Sequence, residues 1–289
     1  MPQWLIIVFC ICLPINALAT VRVYTANIDE SIWHVKEKHK IQCQLSHDIP
    51  AYGKAIFTSN ASKKLNLNFT LDMWLKPNAD TQVSLISKMP SWKPGNASYE
   101  LFQTQFHRYF NGETSKELAW SMLRELETGM EPTFYYKDWY DDNLNIMVGL
   151  SAAKFGQKFN DFKRCLAKLL PYSYEDISFT MLSYKFGGTE LTRFSQQQLE
   201  RVKEYLLHDP QLDSVLIDAY TDSYGDRNIN QKISMTRAQN IKDFFVEQGV
   251  SEVKIKTEGH GEDRHASSNE TLNKRAKNRR VVIRIGQDI

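Results

Sequence analysis

The stretch TDSYGDRNINQKISMTRAQ, residues 221–239, decides how the second half of this chain is read. Asp222 follows the apolar run SVLIDAY, and Arg237 comes fifteen positions later, beyond a turn rich in Gly, Asn and Asp. The run reads as a buried strand. Asp222 then sits at its carboxyl end, where ligand-facing groups gather in α/β sheets. Ser223 to Asn230 is polar and turn-forming. Ser234 reads as the N-cap of the next helix, Ile233 as its staple residue, and Arg237 falls on the first turn. A strand end and a helix start joined by a folded-back loop bring acid and guanidinium together. Two readings follow. One is a structural salt bridge, or a capping acid beside a solvated Arg. The other is a paired acceptor and donor for a ligand with an ammonium and a carboxylate on one carbon. The planar Arg fork takes the carboxylate and Asp accepts from the ammonium.

The surrounding sequence has an α/β rhythm. ISFTMLSYKF (177–186) reads as a strand, and Ser195 with Gln198 opens a helix carrying Leu199, Val202 and Leu206. SMTRAQNIKDFFVEQG is a helix ending at Gly249, VKIKTEG a strand, ETLNKRAKNRR a short helical segment and VVIRI a last strand. Helical crossovers between strands imply β-α-β units with helices on one face. Upstream the pattern is β-rich. GKAIFTS, KLNLNFTLDM (64–73) and QVSLIS read as strands, the second by its strict alternation of Leu65, Leu67, Phe69, Leu71 and Met73 with polar residues. PSWKPG is a loop by its Pro and Gly. Thr114 and Glu117 form a capping-box pattern for a helix stopped by Gly129. PTFYYKDW and NLNIMVGLS are strand-like. FNDFKRCLAKLLP reads as a helix with Phe159, Phe162, Leu166 and Leu169 on one face, Cys165 beside it and Pro171 at its end. The expected fold class is α+β.

The 289 residues suggest about two domains, each with its own core. Lys and Arg number 36 against 34 Asp and Glu, a balance that argues against a dedicated nucleic-acid binder. With 42% hydrophobic and 12% aromatic residues the chain is globular rather than disordered. The first residues, MPQWLIIVFCICLPINALA, are apolar and end in Ala17-Leu18-Ala19, a signal-peptidase pattern that places cleavage after Ala19. The absence of Lys or Arg ahead of that run leaves a retained anchor as the alternative. Cys10 and Cys12 lack the context of a lipid-modified cysteine. Cys43 and Cys165 remain, as one disulfide or as two separate buried thiols. Export and the even count favour the disulfide, which closes a loop of ~120 residues and contributes roughly 4–5 kcal/mol in the chain-entropy model.

In the cell envelope, one abundant ligand with ammonium and carboxylate on one carbon is the free end of diaminopimelate in peptidoglycan. Residues 177–289 resemble the OmpA-like peptidoglycan-binding domain, through TDSYG (221–225), Asn230, Ile233-Ser234, Arg237-Ala238, Gly249-Val250, EGHGE (258–262), NET (269–271) and RAKNRRV (275–281). The resemblance implies a β-α-β-α-β-β fold and non-covalent binding to the peptide stem of the cell wall. It places Asp222 on the diaminopimelate ammonium and Arg237 on its carboxylate. Asn230 matches the motif asparagine that supports loop or ligand, and Arg275, Asn278 and Arg279 match the closing motif that borders the site. Ala219-Tyr220 replaces a common Gly-His, Lys274 a common glycine, and His265-Ala266 stands where a proline often sits.

The first half is similar to the MotY family of sodium-driven flagellar motor proteins. The resemblance rests on residues 42–69, VSLISKMPSWKPG, PTFYYKDW, YSYEDISFTML and the two cysteines, which match the family's disulfide. After the leader at 1–19 it implies a motor-docking domain at 20–172 and the OmpA-like domain at 173–289. It further implies a periplasmic T-ring component that binds peptidoglycan, the partner MotX and the basal body at its P ring, and so holds stator complexes indirectly. A general envelope anchor unconnected with flagella is the alternative. A wall-peptide hydrolase is disfavoured, because Asp222 and Ser223 have no His partner in the sequence. No cofactor and no metal are expected: His260 and His265 in GHGEDRH come without a carboxylate or cysteine set and read as a loop. The basic run from Lys274 to Arg280 reads as a wall-facing rim rather than a nucleic-acid patch, and the four N-x-S/T sequons as coincidence. FYYKDWY (134–140) reads as core plus an exposed edge, or as a docking surface.

Overall fold

The computed structural model describes residues 20–90, 92–95, 98–185 and 190–286. The expected leader at 1–19, the sequon asparagine at 96 and the last strand-pattern residue, 186, lie outside the described residues. The first half runs β1 (Thr20–Thr25), β2 (Trp33–Lys38), β3 (Gln42–Ile49), β4 (Gly53–Asn60), β5 (Asn68–Met73), β6 (Thr81–Lys88), β7 (Tyr99–Phe106), β8 (Gly112–Thr114), α1 (Lys116–Glu127), β9 (Glu131–Lys137), β10 (Leu144–Gly149) and α2 (Phe155–Leu166). The second runs α3 (Tyr174–Ile177), β11 (Phe179–Ser183), α4 (Arg193–His208), β12 (Ser214–Ala219), α5 (Arg227–Glu247), β13 (Ile255–Gly259), α6 (Leu272–Asn278) and β14 (Arg280–Gly286).

Two five-stranded sheets, β1-β10-β9-β6-β7 and β2-β3-β4-β5-β8, build the first half. Alternation drives them: Cys43, Leu45, His47 and Ile49 of β3 all point inward, with their neighbours half-exposed. Phe57, Phe69, Phe134 and Phe106 join the sheets, with Phe69 stacked on Phe134 at 5.7 Å. KLNLNFTLDM is strand only from Asn68. Asn66 explains the shortfall: its side chain accepts from the Asn60 amide at 2.8 Å, a local bond that competes with the ladder. α1 is capped by Ser115, not Thr114, because Thr114 is paired with Phe69 in the sheet. α2 begins earlier than its apolar stripe suggests and stops at Leu166, before Pro171. Cys165 lies on its buried face and bonds Cys43 of β3.

The second half is a four-stranded sheet, β11-β14-β12-β13, with β12 and β13 parallel and β14 antiparallel to both its neighbours. Its core joins Val215, Ile217 and Ala219 of β12 to Ile241 and Phe245 of α5 and Val202 of α4. α4 is capped by Thr192 rather than opened by Ser195, whose hydroxyl instead accepts from the Ser183 amide of β11 at 2.8 Å. The same core takes in Ile41, Ala61, Leu170 and Tyr172 from the chain before it. Leu170 donates to the Lys40 carbonyl at 2.9 Å and accepts from the Ser62 amide at 3.1 Å. Lys38 pairs with Asp209 at 3.4 Å, Lys40 with Glu204 at 3.4 Å, and Lys63 with Asp176.

His47 is the one histidine at an inward position of the first-half sheets. Its ring stacks on Trp33 at 4.5 Å, Nδ1 donates to the Ile32 carbonyl at 3.1 Å, and Nε2 accepts from the Ser151 amide at 3.3 Å. Protonating Nε2 sets one N–H against another, and burial lowers the group to about 4 from an ordinary 6.5.

Two stability measurements follow. A folded-state value below the unfolded one stabilises the fold above the unfolded value, and that stabilisation is lost as pH falls from about 6.5 through about 4. The drop in urea stability across that window is expected to be about 3 kcal/mol, and His47→Gln flattens it. The double variant Cys43→Ser, Cys165→Ser is expected to lose about 2–5 kcal/mol of urea stability at neutral pH.

Candidate functional site

The site forms where β12 ends and α5 runs past it. After Ala219 the chain leaves the sheet through Tyr220, Thr221 and Asp222. The backbone stays tethered, with the Tyr220 amide donating to the Arg280 carbonyl and the Thr221 amide to the Gly261 carbonyl at 2.7 Å. α5 begins at Arg227, seven residues before Ser234, because Asp226 caps it by accepting from the Asn228 and Ile229 amides. Ser234 is therefore buried inside the helix. Its hydroxyl donates to the Gln231 carbonyl and accepts from the Gly261 amide at 2.9 Å. That contact draws the turn after β13 onto α5. At Gly259 a Cβ would lie 2.5 Å from the Met235 amide nitrogen, so the approach requires glycine.

Arg237 thus stands in the third turn of α5 rather than the first. It is buried, with its guanidinium 4.2 Å from the Tyr184 ring and Nη1 donating to the Tyr220 carbonyl at 3.4 Å. Burial lowers its pKa from the ordinary value. Neighbouring Arg279 acts in the same direction, and Tyr184 and Asp222 act against it. A guanidinium stays charged through such a shift.

Asp222 has a different ion-pair partner from the one its spacing suggests. Its Oδ2 accepts from Arg279 Nη1 at 2.6 Å, and its Oδ1 from the Tyr224 amide at 3.2 Å. Asp222, Arg237 and Arg279 come together as one acid between two cations. Asn230 and Asn278 are buried supports. Asn230 donates to Glu262 at 3.0 Å and to the Tyr224 carbonyl, joining α5 to both turns of the site. Asn278 accepts from the Ala266 and Ser267 amides and donates to the Ser267 carbonyl and to Asn269, which in turn accepts from the Ser223 amide. Arg275 sits on the rim, 5.8 Å from the exposed Tyr224 ring, and holds the Asn269 carbonyl.

Sequence reasoning missed Tyr184, Thr221 and Glu262. Nothing in the spacing of Tyr184 announces that its ring will cover Arg237 from the end of another strand. Thr221 Oγ1 and Arg237 Nε are buried and without a hydrogen-bond partner among the described residues.

Fold and site define a class: an OmpA-family domain, carried on a β-rich first half. Residues 183–279 match the OmpA family, and residues 24–171 match the family described as the MotY N-terminal domain. The chain belongs to the MotY family. It is 39% identical over 291 residues to the sodium-type flagellar protein MotY of Vibrio parahaemolyticus, covering 99% of each chain. The second half alone is similar to the outer-membrane lipoprotein YfiB of Pseudomonas aeruginosa, at 34% identity over 112 residues, 38% of this chain and 66% of that one. Among solved structures, the peptidoglycan-associated lipoprotein of Burkholderia pseudomallei aligns with 37% of this chain and 89% of its own, at 21% identity and a TM-score of 0.34.

Asn278 gives a test of support against contact. Asn278→Ala leaves the buried partners of its amide unmatched, a cost of about 1–3 kcal/mol. Hydrogen exchange is expected to quicken at the Ala266 and Ser267 amides while β12 keeps its protection.

Proposed function

We propose that this protein is a non-catalytic, exported component of the flagellar motor that anchors to peptidoglycan through its second half. The carrying observation is the placement of Asp222, Arg237 and Arg279 together at the end of β12, with Arg237 Nε and Thr221 Oγ1 lacking hydrogen-bond partners among the described residues. In this reading the free end of diaminopimelate lies across the three. Its carboxylate meets the Arg237 fork and its ammonium meets Asp222. Arg279 and the Tyr224 amide take one acceptor direction on each Asp222 oxygen, and a carboxylate has about four. The full-length similarity to MotY supports the motor assignment. The similarity of the second half to a mycobacterial peptidoglycan-binding protein, ArfA of Mycobacterium bovis, at 38% identity over 102 residues, supports the wall ligand.

The same reading makes residues 20–172 the docking domain for MotX and for the basal body at its P ring, as part of a T ring in the periplasm that holds the stator complexes. Leader removal after Ala19 is part of it. Many copies in one ring multiply a modest single-site affinity, provided the geometry lets them engage together.

Asp222→Ala and Arg237→Ala are each expected to weaken co-sedimentation with purified peptidoglycan roughly tenfold or more, with unchanged circular dichroism. Retained binding by both folded variants removes the clamp. In a deletion strain, flagellated cells that swim only when given the wild-type protein support the motor role. Normal swimming in that strain leaves a general envelope anchor.

A further inference from the structure

Asp218 and Glu258 are register partners across the parallel β12–β13 pair, and His260 follows two residues beyond Glu258. All three therefore project from one face of the sheet, opposite to the face on which Val215, Ile217 and Ala219 meet the helices. Asp218 is buried. Its Oδ2 accepts from Arg284 Nη2 at 2.5 Å, and its Oδ1 lies 2.7 Å from His260 Nε2. A carboxylate held this way only accepts, so Nε2 carries a ring proton, and in the single tautomer that this contact selects the lone pair is on Nδ1. That lone pair looks toward Glu258, whose Oε1 is 3.7 Å from Nδ1. In that tautomer two acceptors face each other, and among the described residues no other side chain donates into the gap.

We propose that Asp218, His260 and Glu258 form a binding site for a divalent transition cation of the zinc type. His260 Nδ1 and the Glu258 carboxylate are its ligands and water completes the coordination. Ligand atoms from all three residues lie within 4.8 Å of one another. Metal bonds of about 2.0–2.2 Å to nitrogen and oxygen bridge a 3.7 Å gap with a bent N–metal–O angle. Asp218 is the orienting group. It fixes the ring and its tautomer from behind, as a carboxylate does for most metal-bound histidines, and Arg284 in turn holds Asp218. An imidazole ligand selects zinc, copper or nickel over calcium and magnesium, which take oxygen.

The sequence pattern hid this set because Asp218 lies 42 positions before His260 and meets it only through strand pairing. His260 also stacks on Tyr220 at 4.7 Å, and the Tyr220 carbonyl accepts from Arg237. A bound cation therefore stiffens the turn after β13 against the strand end that carries Asp222. The cation site stands on its own and needs no wall ligand.

The test is calorimetric titration of the chelator-treated full-length protein with zinc chloride at pH 7.5, alongside the 15N shifts of the His260 ring. One site is expected, with a zinc-dependent shift at Nδ1. His260→Gln abolishes it, Glu258→Gln weakens it at least ~10-fold, and Asp218→Asn weakens it about 10–100-fold. His265→Gln, a control in the same loop, binds as wild type. Glu258 is exposed, so its variant reports on the ligand set without disturbing the core. The proposal is overturned if Glu258→Gln binds zinc as tightly as wild type. It is equally overturned if the wild type takes up no zinc, and a protonated Nδ1 would then show that a ring proton fills the gap.

Discussion

The Cys43–Cys165 bond is the constraint from which the layout of the molecule follows. It fixes the end of α2 against β3, so the chain emerging from that helix has little freedom. Five residues on, Leu170 bonds through its backbone to Lys40 and Ser62 and buries its side chain in the second core. Ile41 and Ala61, from the first half, are already part of that core. The junction is thus built structure, a shared wall of side chains ringed by the Lys38, Lys40 and Lys63 pairs. The exposed Lys40 and Lys63 pairs contribute little each, and the apolar wall carries most of the stabilisation.

The site depends on a buried cation. A guanidinium removed from water is tolerated when aromatic faces, carbonyls and a counter-charge replace its hydration. Arg237 has Tyr184, the Tyr220 carbonyl and nearby Asp222 in those roles. Yet Asp222 gives its closest contact to Arg279. Arg279 and Arg237 thus both act on that acid.

Much of this fold was legible in the sequence, because periodicity is local. The α+β class, the β12–α5–β13 succession and the inward face of β5 all follow from apolar spacing over a few residues. Helix starts were less legible. Ser234, Ser195 and Thr114 each sit where a cap is chemically sensible, but the fold gave the capping to Asp226, Thr192 and Ser115. In each case the passed-over hydroxyl or backbone had been claimed by another strand or turn. Asp222 and Arg237 could be singled out as a charged pair by residue type and spacing. That Arg279, far along the chain, would take the Asp222 contact is decided by the antiparallel arrival of β14. No window around residue 222 contains that fact.

The position of β1 carries a consequence for the order in which the molecule is assembled. Among the described residues β1 pairs only with β10, in parallel, with Thr20 opposite Leu144 and Thr25 opposite Gly149. Thr20 to Thr25 leave the ribosome early, yet they have nothing to bond until the whole first-half chain exists and β9 and β10 have turned back on each other. Pairings of such long sequence separation form late, because loop closure precedes any gain from the contact. The first of the described strands to be made is thus seated late, and until then Val21 and Val23, exposed even in the finished fold, are carried on a loose end.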